Sequence, residues 1–122
     1  MTAIGEKNAF DLLLVVLRFN EKVNQRDLEG LAELMAEDYT FIDNSGGVTK
    51  GKDVNKQGWK EFFTEYPDYK NIFTTTTVQD NTVVMVGYST CSYKRLNGPN
   101  IWTAKIRNGQ ITEWRVIWLD QR

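Results

Sequence analysis

Histidine is absent from the 122-residue sequence, and cysteine and proline are scarce, with one and two copies. The lack of histidine excludes Ser-His-Asp and Cys-His catalysis and every metal site that depends on imidazole. Because Cys91 is the lone cysteine, no disulfide can form within the chain, which fits a reducing compartment. The longest apolar run, residues 12–17, is too short to cross a bilayer, and no basic leader precedes it. We therefore expect a soluble, cytoplasmic protein that uses no metal and no cofactor.

The remaining composition is that of one ordinary globular domain over residues 1–122. Hydrophobic residues make up 41% and charged residues 25%, both typical of a soluble protein. Aromatic side chains are more distinctive, at 12% with four tryptophans. The net charge of −1 gives no electrostatic reason to bind nucleic acid or an anionic membrane, so we expect neither as a partner.

Three helices are predicted in the first half of the chain. The first covers about residues 6–25 and carries two apolar stripes, which predicts a helix that is buried on more than one side. Asp27 is a suitable N-cap for a second helix over about 28–36. A third helix covers about 53–66 and ends before Pro67. The two stripes of the first helix are Phe10, Leu13, Leu14 and Leu17, and Leu12, Val15, Val16, Phe19 and Val23.

An alternating pattern predicts strands over 38–43, around Val48, and through most of the second half of the chain. Turn-forming residues separate the later strands and join them as hairpins. Helices followed by an antiparallel meander indicate an α+β fold, with the three helices packed on one face of a curved, mostly antiparallel sheet. The later strands are predicted over 69–79, 82–94, 101–107 and 111–119.

The last hairpin can close in two ways. A two-residue turn would pair Arg107 with Gln110, whereas a three-residue loop would pair Ile106 with Gln110 and set Trp102 opposite Trp114. We predict the three-residue loop, because a one-residue slip would turn charged side chains into the core. The inner face would then hold Trp102, Ala104, Ile106, Trp114, Val116 and Trp118.

Asp43 is the candidate catalytic residue. It follows Tyr39 and Phe41 on one face of a strand that breaks at the turn formers of residues 44–47. Its carboxylate could cap this turn through the local backbone, or it could point among aromatic rings, where burial would raise its pKa and make it a general base. The stretch alone favours the turn cap.

The order of these elements resembles that of the nuclear-transport-factor-2-like superfamily, which includes SnoaL-like polyketide cyclases and ketosteroid isomerases. The resemblance covers essentially the whole chain. It is carried by NQRDLEGLAELMAEDYTFID, by Gly51 before the third helix, by EFFTEYPDY and by NGQITEWRV. It implies a single SnoaL-like domain whose helices and sheet form a cone with an internal pocket.

The resemblance also assigns positions in the site. Asp43 falls where ketosteroid isomerases carry their Asp base, and Trp118 falls where they have a pocket Trp. Phe19 stands in place of the Tyr oxyanion donor of these enzymes, and Trp102 stands in place of their protonated acid. The cyclases of the superfamily use a nearby His that this chain lacks, and Val116 replaces the acid of the related epoxide hydrolases.

We predict a pocket between the third helix and the concave sheet face, for a small, apolar, aromatic or polycyclic ligand. The chain would be a cofactor-free isomerase or cyclase with Asp43 as base, or a binding module with no chemistry. A third alternative, compatible with either of these, is an interaction domain whose outer sheet face, with Ile117 and Leu119 exposed, forms a homodimer. About half of the rings would fill core; the candidate lining is Phe19, Tyr39, Phe41, Trp59, Phe62, Phe63, Tyr66, Tyr88, Trp102, Trp114 and Trp118.

Overall fold

The computed structural model describes residues 8–122, and its helices pack on a six-stranded mixed sheet that does not close. The predicted α+β class is thereby confirmed. The helices are α1 (Ala9–Gln25), α2 (Leu28–Glu33) and α3 (Lys52–Glu65). The strands are β1 (Met35–Ile42), β2 (Val48–Lys50), β3 (Lys70–Gln79), β4 (Thr82–Thr90), β5 (Gly98–Arg107) and β6 (Gln110–Trp118).

The sheet has the order β2-β1-β6-β5-β4-β3. Its neighbouring strands are antiparallel except β1 and β6, the second and third in this order, which run parallel. The core lies between the helices and the inner sheet face, where Phe19, Tyr39, Trp102 and Trp114 are the largest fully buried side chains. No helix within residues 8–122 is long and apolar enough to cross a membrane.

Local capping accounts for the first helix boundaries. Asn8 caps α1 by accepting a hydrogen bond from the backbone N–H of Asp11 at 2.9 Å. Residues 6 and 7 of the predicted helix lie outside the described residues. Asp27 caps α2 as predicted and accepts a hydrogen bond from the Gly30 N–H at 3.0 Å. The chain therefore turns between α1 and α2 where the sequence indicates.

The second helix is shorter than predicted, because residues 35 and 36 belong to β1. Met35 pairs with Ile111 of β6, and the N–H of Ile111 donates to the carbonyl of Leu34 at 2.7 Å. Both Met35 and Ala36 are buried in this strand. A long-range sheet contact thus overrides the local helical pattern.

The expectation that α1 is covered on more than one side is wrong. Its stripe from Leu12 to Val23 is buried, but in the second stripe Phe10 is 69% exposed and Leu17 is 44% exposed. The helix packs on β3 to β6 and on α2, and these contacts leave Phe10 and Leu17 exposed.

The predicted three-residue loop of the last hairpin is also wrong. Asn108 and Gly109, both with positive φ, form a two-residue turn, and Arg107 pairs with Gln110. A bulge in β6 after Ile111 then shifts the register by one residue, so Ala104 and not Trp102 lies opposite Trp114. The bulge restores the alternation, which is why the predicted inner face is nevertheless the buried one.

The fourth strand ends at Thr90, and residues 91–94 of the prediction leave the sheet. The side chain of Asn97 bridges this loop, since it accepts from the Cys91 N–H at 3.2 Å and donates to the Cys91 carbonyl. A short 3₁₀ turn, Lys94–Leu96, follows, and the next strand begins at Gly98. The loop folds back because Asp68 accepts from the Ser92 N–H at 3.0 Å.

Candidate ligand-binding cavity

A cavity of about 270 Å³ lies between α3, the β1–β2 hairpin and the concave face of β5 and β6. Its wall combines aromatic rings with a few uncharged polar groups, and Tyr69 is its one ionisable residue. The lining residues are Phe41, Thr49, Asn55, Gly58, Trp59, Phe62, Tyr69, Trp102, Trp114 and Val116.

Trp59 of α3 organises the aromatic wall. Its ring lies 6.2 Å from the ring of Phe41 on β1 and 5.8 Å from that of Phe62 one helical turn later, both in edge-to-face geometry. It also lies 5.5 Å from Phe63 and 6.2 Å from Phe19 of α1, which stand behind it in the core. These edge-to-face contacts hold the rings in place before any ligand binds.

Trp102 and Trp114 form the sheet side of the cavity. They lie on adjacent strands, each is only about 1% exposed, and Phe73 packs against both at 5.1 and 6.5 Å. Neither indole N–H donates to another residue within 8–122, although a buried indole N–H usually finds an acceptor. Both are therefore available as donors to a molecule in the cavity.

Asn55 ties the start of α3 to the β1–β2 hairpin. Its Nδ2 group donates to the carbonyls of Gly51 at 2.8 Å, Thr49 at 3.0 Å and Tyr39 at 3.3 Å. Three surrounding carbonyls require the nitrogen on that side, so the amide oxygen lies on the other side. No residue within 8–122 donates to this oxygen, which makes it an acceptor at the cavity wall.

Tyr69 closes the far end of the cavity. Its hydroxyl lies 2.9 Å from Oγ of Ser89, which is itself buried. Burial raises the pKa of Tyr69 to about 12, and the hydrogen bond with Ser89 lowers it by less. The lining consequently carries no charge at neutral pH.

Asp43 lies outside this cavity lining, in the turn after β1. Its Oδ1 accepts from the Ser45 hydroxyl at 2.6 Å and from the N–H groups of Ser45 and Gly47 at 2.9 Å each. The Ser45 hydroxyl, more than these backbone groups, holds the pKa of the Asp43 carboxyl below its usual value. This geometry is that of an Asx turn and favours the turn-cap alternative over the general base.

Comparison with known proteins settles the family. A family model for the SnoaL-like domain matches residues 16–114, which is most of the chain. This chain belongs to the SnoaL-like domain family. The resemblance to the nuclear-transport-factor-2-like superfamily that the sequence indicated is thus confirmed. A search of the curated proteins finds no match.

Solved structures share the fold of this SnoaL-like domain at low sequence identity. Bal32a from a soil-derived mobile gene cassette has a TM-score of 0.80 and 20% identity, covering 92% of each chain. A ketosteroid isomerase-like protein from Kribbella flavida DSM 17836 has a TM-score of 0.80 and 16% identity, over 98% of this chain and 84% of the other. TerC, co-crystallised with polyporic acid, has a TM-score of 0.76 and 18% identity, over 88% of this chain and 91% of TerC.

The eleven predicted aromatic lining residues divide into three groups in the SnoaL-like domain. Phe41, Trp59, Phe62, Trp102 and Trp114 line the cavity. Phe19, Tyr39 and Phe63 instead fill the core behind it. The hydroxyl of Tyr39 accepts a 3.4 Å hydrogen bond from the indole of Trp59, and full burial raises its pKa.

The remaining three aromatic residues are placed elsewhere. Tyr66 stacks on Tyr93 of the β4–β5 loop at 5.5 Å. Tyr88 is 43% exposed on the outer sheet face, because its inward-facing neighbours on β4 are Gly87 and Ser89. Trp118 lies beyond the cavity, with the Arg122 guanidinium 4.5 Å from its ring centroid. Their assignment to the cavity lining is therefore wrong.

The structure adds lining residues that the sequence argument did not select. Asn55 and Gly58 share a helix with Trp59, Thr49 pairs with Phe41 across the hairpin, and Tyr69 follows Pro67. Val116, which the alternation of β6 predicts on the inner face, also lines the cavity. Within residues 8–122, no group of three or more acidic or cysteine side chains is arranged to hold a metal ion.

Proposed function

We propose that this SnoaL-like domain binds a small, neutral, planar aromatic molecule in the cavity beneath α3. The observation that supports this proposal is the lining itself, which combines aromatic rings with polar groups that are uncharged at neutral pH. Such a surface favours flat, apolar ligands, since a charged ligand would lose its hydration without gaining a partner.

The cavity volume limits the size of this ligand. Small-molecule sites commonly measure about 300–1,000 Å³, and this cavity of about 270 Å³ lies just below that range. Two or three fused rings are therefore a better match than a four-ring skeleton. Polyporic acid in the TerC crystals is an independent reason to test aromatic compounds on a domain of this fold.

A few polar groups would orient the ligand. The indole N–H groups of Trp102 and Trp114 would donate to a ligand oxygen, and the amide oxygen of Asn55 would accept from a second polar hydrogen in ligands that carry one. Within residues 8–122 none of these three groups has a hydrogen-bond partner, so a ligand that supplies the partners gains these bonds. This arrangement needs no proton transfer, so we assign binding rather than catalysis to the cavity.

The isomerase or cyclase alternative depends on Asp43 as a base. Asp43 already accepts three hydrogen bonds within its own turn, and they stabilise its charged form. A base needs a pKa near the working pH, and these contacts shift it the other way. Binding without chemistry is therefore the function that this geometry supports best.

A second copy of the chain is the partner that we propose for the outer sheet face. Val86, Ile101 and Ile117 lie side by side in one row across three strands. At the edge of this row Ile117 is 38% exposed, and nearby Leu119 is 50% exposed. A two-fold axis through the row would bury the same apolar surface on both copies.

Calorimetric titration with 2-methoxynaphthalene and with 2-naphthoate tests the binding proposal. We expect the neutral compound to bind and the anionic one to bind at least about tenfold more weakly, because its charge would be desolvated in an uncharged cavity. Preference for 2-naphthoate, or no binding of either compound, would contradict the proposal.

A further inference from the structure

A row of buried polar side chains leads from the cavity to the C-terminal segment. The Tyr69 hydroxyl contacts Oγ of Ser89 at 2.9 Å, and Oγ of Ser89 contacts Oδ1 of Asn71 at 3.1 Å and Nδ2 of Asn100 at 2.6 Å. Ser89, Asn71 and Asn100 are each no more than about 2% exposed. At the far end, Oδ1 of Asn100 contacts the guanidinium of Arg122.

Arg122 determines the direction of the hydrogen bonds in this row. A guanidinium can only donate, so the Asn100 amide must turn its oxygen toward Arg122. The Asn100 nitrogen then faces Ser89 and donates to its Oγ. The Arg122 side chain is itself held in place, since it donates to the carbonyl of Pro99 at 2.6 Å and to Asp120 at 2.7 Å.

Ser89 has a single hydroxyl proton, and its neighbours in the row determine where that proton points. Oγ of Ser89 accepts from Asn100 and donates to Oδ1 of Asn71. The Tyr69 hydroxyl must therefore be the donor in its contact with Ser89. Because its proton is donated to Ser89, the Tyr69 hydroxyl can only accept a hydrogen bond from a molecule in the cavity.

We propose that Tyr69 is a specificity-determining residue that accepts a hydrogen bond from a hydroxyl group of the ligand. Ser89 and Asn100 are positioning residues, which act by holding the Tyr69 proton away from the cavity. The inference rests on the proposed binding function and narrows its ligand class to neutral hydroxylated aromatics, such as phenols and naphthols. A ligand with a ketone or ether oxygen at this position would meet the Tyr69 oxygen without a hydrogen between them.

The ratio of two affinities tests this proposal separately from the binding function. Calorimetry on the wild-type chain compares 2-naphthol with 2-methoxynaphthalene, which differ in one hydrogen-bond donor. We expect 2-naphthol to bind about tenfold more tightly, the order of magnitude of one hydrogen bond. Tyr69→Phe should bring this ratio to about one, whatever its effect on the two individual affinities.

Ser89→Ala tests the positioning role. Without Oγ of Ser89 the Tyr69 proton can turn toward the cavity, so the variant should gain affinity for 2-acetylnaphthalene relative to 2-naphthol by about tenfold. A purely structural defect would lower the affinity for both compounds by the same factor. Circular dichroism melting of both variants shows whether the fold is retained.

Four results would overturn the inference. If 2-methoxynaphthalene binds the wild type as well as 2-naphthol does, or if Tyr69→Phe leaves the ratio unchanged, Tyr69 is not the acceptor, while the binding function stands. If Ser89→Ala does not change the relative affinity for the ketone, the proton is not positioned by this row. If no naphthalene compound binds, the proposed function fails, and this inference fails with it.

Discussion

The hydroxyl of Ser45 lies 2.6 Å from Oδ1 of Asp43, two residues earlier in the chain. This short contact and two backbone N–H groups lower the pKa of Asp43. We expect NMR titration of the Asp43 carboxyl carbon to give a pKa below the unperturbed value of about 3.9. Ser45→Ala removes the largest cause and should raise the pKa toward that value. A pKa above 5 in the wild type would revive Asp43 as a base.

The same shift predicts the pH dependence of stability. The pKa of Asp43 is lower in the folded state than in the unfolded state, so the ionised carboxylate stabilises the fold. This stabilisation is fully present above the unfolded-state pKa and is lost as the pH falls through the folded-state pKa. Asp43→Asn should therefore lower the free energy of unfolding at pH 7, by no more than about 1 kcal/mol because solvent screens this exposed carboxylate. The difference in the free energy of unfolding between Asp43→Asn and the wild type should become smaller below about pH 4. Urea denaturation at both pH values measures it, and an equal difference at both would contradict the prediction.

The sequence was sufficient for the element order because each helix and strand has its own local periodicity. It was not sufficient for boundaries set by distant partners. Met35 leaves the second helix for a strand because Ile111 pairs with it, and no local signal encodes that contact. In the last hairpin two differences from the prediction cancel. The two-residue turn and the bulge after Ile111 together leave the predicted side chains on the inner face of the sheet.

The site was predicted less well because alternation identifies the face of a strand but not the depth along it. Trp118 shares the parity of Trp114, but four residues of strand separate them by about 13 Å, which takes Trp118 past the cavity. Tyr88 was misassigned for a different reason. Residues 83–86 are apolar on both faces of β4, so the sequence does not show which parity points inward.

Asn55 supplies a test of how the cavity is held together. Asn55→Leu removes the donor for the carbonyls of Tyr39, Thr49 and Gly51, which join α3 to the β1–β2 hairpin. Loss of buried hydrogen-bond partners should lower the free energy of unfolding by about 1–3 kcal/mol. Gln57→Leu, at an exposed position of the same helix, is the matched control and should change it little. Equal destabilisation by both variants in urea denaturation would show that the Asn55 contacts contribute nothing special.

The proposed homodimer depends on the apolar row of the outer sheet face. Ile117→Lys places a charge within the two-fold contact, where it would be desolvated against the apolar row of the second copy, so we expect a monomer. Gln57→Lys, at an exposed position of α3 on the opposite side of the sheet, is the control and should leave the dimer intact. Light scattering coupled to size-exclusion chromatography measures the mass. A wild-type monomer at high concentration would refute the interface.

Gly58 offers the sharpest test of the cavity because it lines the cavity from α3 and a Cβ there would meet no atom within 4 Å. Gly58→Ala should raise the free energy of unfolding by about 0.5–1 kcal/mol, as expected for alanine in a helix interior, and leave room for a ligand. Gly58→Leu should keep most of this increase in the free energy of unfolding, since leucine is also a good helix former, but it projects a branched side chain into the cavity. We expect it to weaken 2-methoxynaphthalene binding at least about tenfold, since the ligand would lose its space. If the leucine variant is folded and binds as tightly as the alanine variant, the ligand lies somewhere other than beneath α3.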